Sequence, residues 1–153
     1  MPIQNRRVKT LTKDARTIIK SCAGINCRAA ARRITQFFED RLQTTGLSLA
    51  QFSLMIFIAA ADNDTIGGLA ERSGHDQSTL SRNLRGLERA GLVEIVTAER
   101  DLRSRAVWLT ERGARRLEAA IPAWRDAQRA LAREVDPSVL RRVASATLAL
   151  VPR

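Results

Sequence analysis

Between Gln77 and Arg85 the chain sets Gln77, Ser78, Thr79, Ser81, Arg82, Asn83 and Arg85 around Leu80 and Leu84, with no acidic residue in the run. These are side-chain types that can read a duplex. Arginine pairs bidentately with guanine, asparagine and glutamine with adenine, and serine or threonine hydroxyls reach base edges or phosphates. Further along, Arg100, Arg103 and Arg105 crowd one short segment with Asp101 among them. Arginine at a hairpin tip suits the negative potential of a minor groove. Phosphate would repel an aspartate, so Asp101 is expected to brace the tip, accepting backbone N–H bonds or holding Arg103 or Arg105. Both clusters also fit ordinary solvated surfaces, and the elements that carry them decide between the readings.

Leu80, Leu84 and Leu87 recur at steps of four and three, which predicts a helix from about Asp76, its cap, to Ala90. Gly91 stops it. A shorter helix over about Ile66–Arg72 turns Leu69 and Ala70 inward, and Ser73-Gly74 breaks it. Helix, tight turn, helix is the arrangement in which the second helix enters a major groove and the first braces it. The only histidine, His75, falls in the turn and is expected to contact a phosphate or cap a helix. "LVEIVT" (92–97) and "RAVWLT" (105–110) alternate as strands do, with Val107 and Leu109 facing the core and Trp108 the other side. A hairpin directly after such a helix makes a wing whose tip carries the arginines.

The flanking segments predict more helix. Residues 1–13 mix basic and polar types without a period and read as a flexible basic arm. From Asp14 to Thr44 apolar residues recur at three and four, and Gly46 ends the pattern. "SLAQ" (48–51) has capping-box spacing, and a very apolar helix follows to about Ala61. A long helix runs from about Glu111 to Glu134, with Pro122 expected to kink it. Asp136-Pro137 opens a last helix to about Leu150. The expected fold is mainly α with a small β-hairpin, a winged helix-turn-helix at 47–110. Residues 14–46 and 111–153 supply dimerisation helices, because their apolar stripes exceed what the small winged core can cover.

A formal net charge of +10 points to a polyanion. With 44% hydrophobic and 27% charged residues, the composition is that of a folded chain and not a disordered one. No apolar run approaches the ~20 residues that cross a bilayer, and the N-terminus has no signal-peptide core, so no membrane partner and a cytoplasmic location are expected. There is no glycine-rich phosphate loop, no histidine dyad and no metal-ligand cluster, so neither an enzyme nor a cofactor is expected.

With these elements in place, "GLAERSGHDQSTLSRNLRGLERAGLVEIVTAERDLRSRAVWLTERG" resembles the winged helix-turn-helix of the multiple-antibiotic-resistance regulator (MarR) family. The resemblance rests on Leu87, Gly91, Leu92 and Val93, on "DLRSR" (101–105) and on "LTERG" (109–113), and extends to "GLSLAQFSLM" and "AIPAWRDAQ". It implies a homodimer on a pseudo-palindromic operator in double-stranded DNA, usually as a repressor. It also implies relief by a small anionic or aromatic effector, or by oxidation. An effector pocket between dimer helices and winged part would draw on Phe37, Phe38, Arg41, Phe52, Met55 and Trp124, for each of which core packing is the alternative. Cys22 falls near the reactive cysteine of the family's hydroperoxide-sensing branch, but that branch also uses tyrosines and this chain has none. Cys22 and Cys27 lie about 140° apart on a helix, so a disulfide between them is not expected. Architectural DNA binding and a protein–protein winged module are the competing functions.

Overall fold

The computed structural model describes residues 2–61, 65–74, 76–97 and 105–150, with backbone alone at 2–8, Thr97 and Arg105. The chain divides into two compact units, residues 1–37 and 38–153.

The first unit holds α1 (Pro2–Ser21) and most of α2 (Ala23–Leu42). The expected flexible arm over 1–13 is therefore corrected: its described residues are helical. Pro2 stands at the first helical position, where a missing N–H costs nothing, and no glycine or proline follows until Gly24. Helix formation there needed no apolar period. The single helix expected from Asp14 is also corrected, because it breaks at Cys22. Asn26 Nδ2 donates to the Lys20 carbonyl (3.0 Å), the acceptor that Gly24 N–H would use in an unbroken helix.

In the second unit α2 ends by burying Phe38 and Leu42, and a short 3₁₀ turn (Gln43–Thr45) leads to Gly46 at φ 72°. α3 (Leu49–Ala59) begins with the expected capping box: Gln51 N–H donates to Ser48 Oγ (3.1 Å) and Ser48 N–H to Gln51 Oε1 (3.0 Å). Its Phe52, Leu54, Met55 and Ile58 form the middle of the core. α4 (Ile66–Ser73) is capped by Thr65 and closed by Gly74 at φ 65°. α5 (Gln77–Arg89) buries Leu80, Leu84 and Leu87. At its end Leu92 N–H reaches back to the Leu87 carbonyl (2.9 Å) across Gly91, whose φ of 67° lets the chain reverse.

β1 (Val93–Thr97) and β2 (Arg105–Leu109) pair antiparallel, with Ile95 opposite Val107 and Glu94 opposite Trp108. Val107 is buried and Trp108 is 39% exposed, as the alternation predicts. An isolated bridge from Thr65 to Ala106 fastens α4 to the hairpin. α6 (Glu111–Ala132) runs through Pro122, ending slightly before the expected Glu134. α7 (Pro137–Ala146) and a 3₁₀ turn (Thr147–Leu150) complete the chain.

The "LTERG" segment locks the wing to α6. Thr110 N–H donates to the Leu92 carbonyl (3.1 Å) and its hydroxyl to the Gly91 carbonyl (2.7 Å), while that same oxygen accepts from Gly113 N–H (3.0 Å). One threonine thus caps α6 and holds the turn after α5. Gly113 lets the two backbones meet: a Cβ there would lie 1.9 Å from the Leu92 oxygen. Among the described residues no single helix is long and apolar enough to cross a membrane.

Candidate DNA interface

Because Leu80, Leu84 and Leu87 are at most 1% exposed, the opposite side of α5 must face solvent. At 100° per residue that side carries Ser78, Arg82, Arg85 and Arg89, spaced four, three and four. All four are exposed, as is Gln77; Thr79, Ser81 and Asn83 flank them half-buried. Arg89 was not among the residues singled out from the sequence. Its signal was the same spacing, carried one turn further. The helix seats on α3, where Gln51 Nε2 lies 3.8 Å from the point a Cβ on Gly86 would occupy.

The head of α5 carries a constraint on its hydroxyls. Asp76 accepts from Thr79 N–H (2.8 Å) as an N-cap, and also from Ser78 Oγ (2.6 Å) and Thr79 Oγ1 (2.7 Å). Each hydroxyl spends its one hydrogen on the carboxylate. In this arrangement Ser78 and Thr79 can accept from a base amino group but cannot donate to a phosphate oxygen. The carboxylate also offsets the positive end of the helix. The hydroxyl bond from Ser78, then those from Thr79, hold the Asp76 carboxyl well below the ordinary carboxylate range.

Asp76 is stabilised in its ionised form by folding. The cap's contribution is therefore fully present above the unfolded carboxyl's ordinary titration range, and it fades as pH falls through the depressed folded value. The Thr79 amide resonance is expected to stay unchanged from neutral pH to about pH 5, moving only in strong acid. Asp76→Asn should abolish that acid-range movement. Persistence of the same transition in the Asn variant would assign it to another group.

The wing presents β1 and β2, but His75, Arg100, Asp101 and Arg103 lie outside the described residues. Arg105 is placed by its backbone, opposite Thr97.

Of the six expected pocket residues, two line one hollow. Phe38 and Met55 are buried in the second unit at 6% and 0% exposure. Arg41 is exposed, and Phe37 belongs to the other unit. Phe52 and Trp124 do meet, with rings 6.3 Å apart and 22° from parallel. They line a hollow of about 470 Å³ between α3 and α6, with Ser53, Ile56, Phe57, Ile121 and Arg125. Arg125, not Arg41, is its cation. Cys22 is half-buried, Cys27 is exposed, and both thiols are free. Among the described residues no three histidine, cysteine or acidic side chains cluster as metal ligands would.

A sequence model described as the MarR family matches residues 45–104. No curated protein matches the chain. Among solved structures, the M. tuberculosis transcriptional regulator MosR in complex with DNA is 34% identical, covering 85% of this chain and 96% of that one at a TM-score of 0.77. The transcriptional repressor CouR, bound to a 23-mer DNA duplex, is 20% identical over 87% of this chain and 94% of its own, with a TM-score of 0.74. A variant of E. coli MarR complexed with operator DNA is likewise 20% identical, over 88% and 98%, with a TM-score of 0.74. The last two speak for the fold. Backbone, wing and the MosR identity agree, and the chain belongs to the MarR family of transcriptional regulators, DNA-binding proteins and not enzymes.

Proposed function

We propose that this protein is a homodimeric, sequence-specific repressor that binds a pseudo-palindromic operator and is released by a small effector. The observation carrying the reading is the outer face of α5, where Ser78, Arg82, Arg85 and Arg89 are exposed in one line and the run from Gln77 to Leu87 holds no acid. Hydrogen-bonding residues on its flanks favour base reading over simple charge attraction, and so favour a regulator over an architectural binder. Apolar side chains left in solvent support the homodimer. Ile18 and Ile19 on α1 are 56% and 58% exposed, and Val139 and Val143 on α7 are 41% and 48% exposed. Such stripes call for a second copy. Two-fold symmetry then sets two α5 helices one DNA turn apart. The test is selection of bound duplexes from a random pool by the purified protein, with its mass measured in solution. Enrichment of an inverted repeat by a dimer is the expected result; no enrichment, or a monomer, refutes it.

For the effector, the Phe52–Trp124 hollow is apolar apart from Ser53 and Arg125, which suits a small aromatic carboxylate. Such an acid is expected to quench Trp124 emission in a Trp108→Phe background and to lower operator affinity. Arg125→Ala should weaken it about tenfold, the value of a charge-assisted hydrogen bond. Quenching that is untouched by Arg125→Ala would move the carboxylate elsewhere. Release by oxidation at Cys22 or Cys27 is the second route, and it would appear as loss of DNA binding with peroxide, reversed by thiol.

A further inference from the structure

The chain has three lysines among its 26 basic residues, and all three lie on α1. Lys9, Lys13, Arg16 and Lys20 follow one another at steps of four, three and four. At 100° per residue they fall within about 60° of one another, a single stripe on the helix. Thr12 and Thr17 lie beside them on the same surface. All four cations are exposed, and none has an acidic partner among the described residues. The opposite side of α1 carries Leu11 and Ile18. Asp14, the one acid on the helix, points well away from the stripe, at more than 90° from each of the four. The matched family segment begins at residue 45, so this helix is not part of it.

We propose that the α1 stripe holds the phosphodiester backbone of DNA flanking the operator, outside the bases read by α5. This rests on the DNA-binding reading above and extends it. The argument is charge complementarity with matching length. The twelve residues from Lys9 to Lys20 span about 16 Å of helix, the axial length of roughly five nucleotides of one strand at about 3.4 Å each. The residue types also fit. Lysine is a compact point charge that suits phosphate, whereas planar arginine suits bases. The basic positions on α5 are all arginine, while the chain's lysines are confined to α1. A phosphate contact of this kind carries no sequence information. It lengthens the footprint and steepens the salt dependence.

The experiment uses the full-length protein and two duplexes carrying the selected operator, one minimal and one extended by ten base pairs of arbitrary sequence at each end. Three proteins are compared: the native chain, a variant with Lys9→Gln, Lys13→Gln, Arg16→Gln and Lys20→Gln, and a variant with the three lysines changed to arginine. Glutamine keeps helix propensity, so helicity by circular dichroism should match the native chain. The native protein is expected to bind the extended duplex more tightly. Its plot of log affinity against log salt should also be steeper there, by about 0.9 for each added phosphate contact. The glutamine variant should lose that gain while keeping its affinity for the minimal duplex, and the arginine variant should retain the gain. Equal gains in native and glutamine proteins overturn the proposal. So does native binding that ignores the flanks, including the case in which phosphatidylserine vesicles bind the native chain and not the glutamine variant. Failure of the native protein on both duplexes would instead remove the DNA reading on which the proposal stands.

Discussion

Alanine at Arg82 is expected to weaken operator binding by at least about 25-fold, and alanine at Arg85 to do the same, with the fold left intact. Both side chains are exposed on the outer face of α5, so thermal stability should change by no more than about 0.5 kcal/mol. A bidentate arginine–base pair is worth about 1–3 kcal/mol, and a symmetric dimer loses it in both half-sites. The sum is at least about 2 kcal/mol, and 1.4 kcal/mol is tenfold in affinity. Titration at fixed salt with cognate and single-substituted duplexes separates the possible roles. An arginine that reads a base relaxes preference at one operator position when removed; one that holds phosphate weakens all sequences alike and makes the salt slope shallower. Arg89→Ala, one turn further on the same face, is expected to behave in the second way. Unchanged affinity in both the Arg82 and Arg85 variants would mean that another surface reads the DNA.

The second large effect is internal. Gly113→Ala puts a methyl group 1.9 Å from the Leu92 carbonyl oxygen and 2.8 Å from its carbon, and neither can swing aside as a flexible side chain would. Either α6 withdraws from the turn between α5 and β1, or that turn shifts. Overpacking of this kind costs about 1–3 kcal/mol, and here the upper end is expected because both contacts are backbone. For a chain of this size that lowers the melting temperature by roughly 6–12 °C. The withdrawal would also strain the bonds from Thr110 to Gly91 and Leu92, which set the wing against α5. DNA affinity should therefore fall even at temperatures where the protein remains folded. Thr110→Val, which removes the cap but adds no clash, should cost about 1 kcal/mol. A Gly113→Ala variant that melts with the native protein would show that α6 packs more loosely on Leu92 than the described contact requires.

Where interactions were local, they could be read in the chain. Leu80, Leu84 and Leu87 fix which side of α5 is buried, and so which side faces solvent, because one period both folds the helix and orients it. The capping box at Ser48–Gln51 and the strand alternation around Val107 were equally legible, since each involves neighbours within a few residues. The period failed where it carried no information. α1 is helical from Pro2 although its first dozen residues show no apolar stripe, because helix formation there asks only for compatible residues. α3 is apolar on every side, so nothing in its pattern separates fully buried Met55 from Ile56, which is 37% exposed and lines the hollow.

The amino-acid order by itself determined the helix pair, its glycine stops, the winged hairpin and the basic outer face of α5. Each follows from hydrogen bonds and periodicities that close within one or two turns of chain. Tertiary structure alone decided which aromatic residues share a hollow and that Arg125 stands at its edge. Side-chain rotamers decided that Ser78 and Thr79 give their protons to Asp76, and tertiary packing that Gly113 must lack a side chain because Leu92 occupies the space. The hollow and the Gly113 contact depend on distances between segments many residues apart, and the Asp76 bonds on rotamers, neither of which a linear pattern encodes.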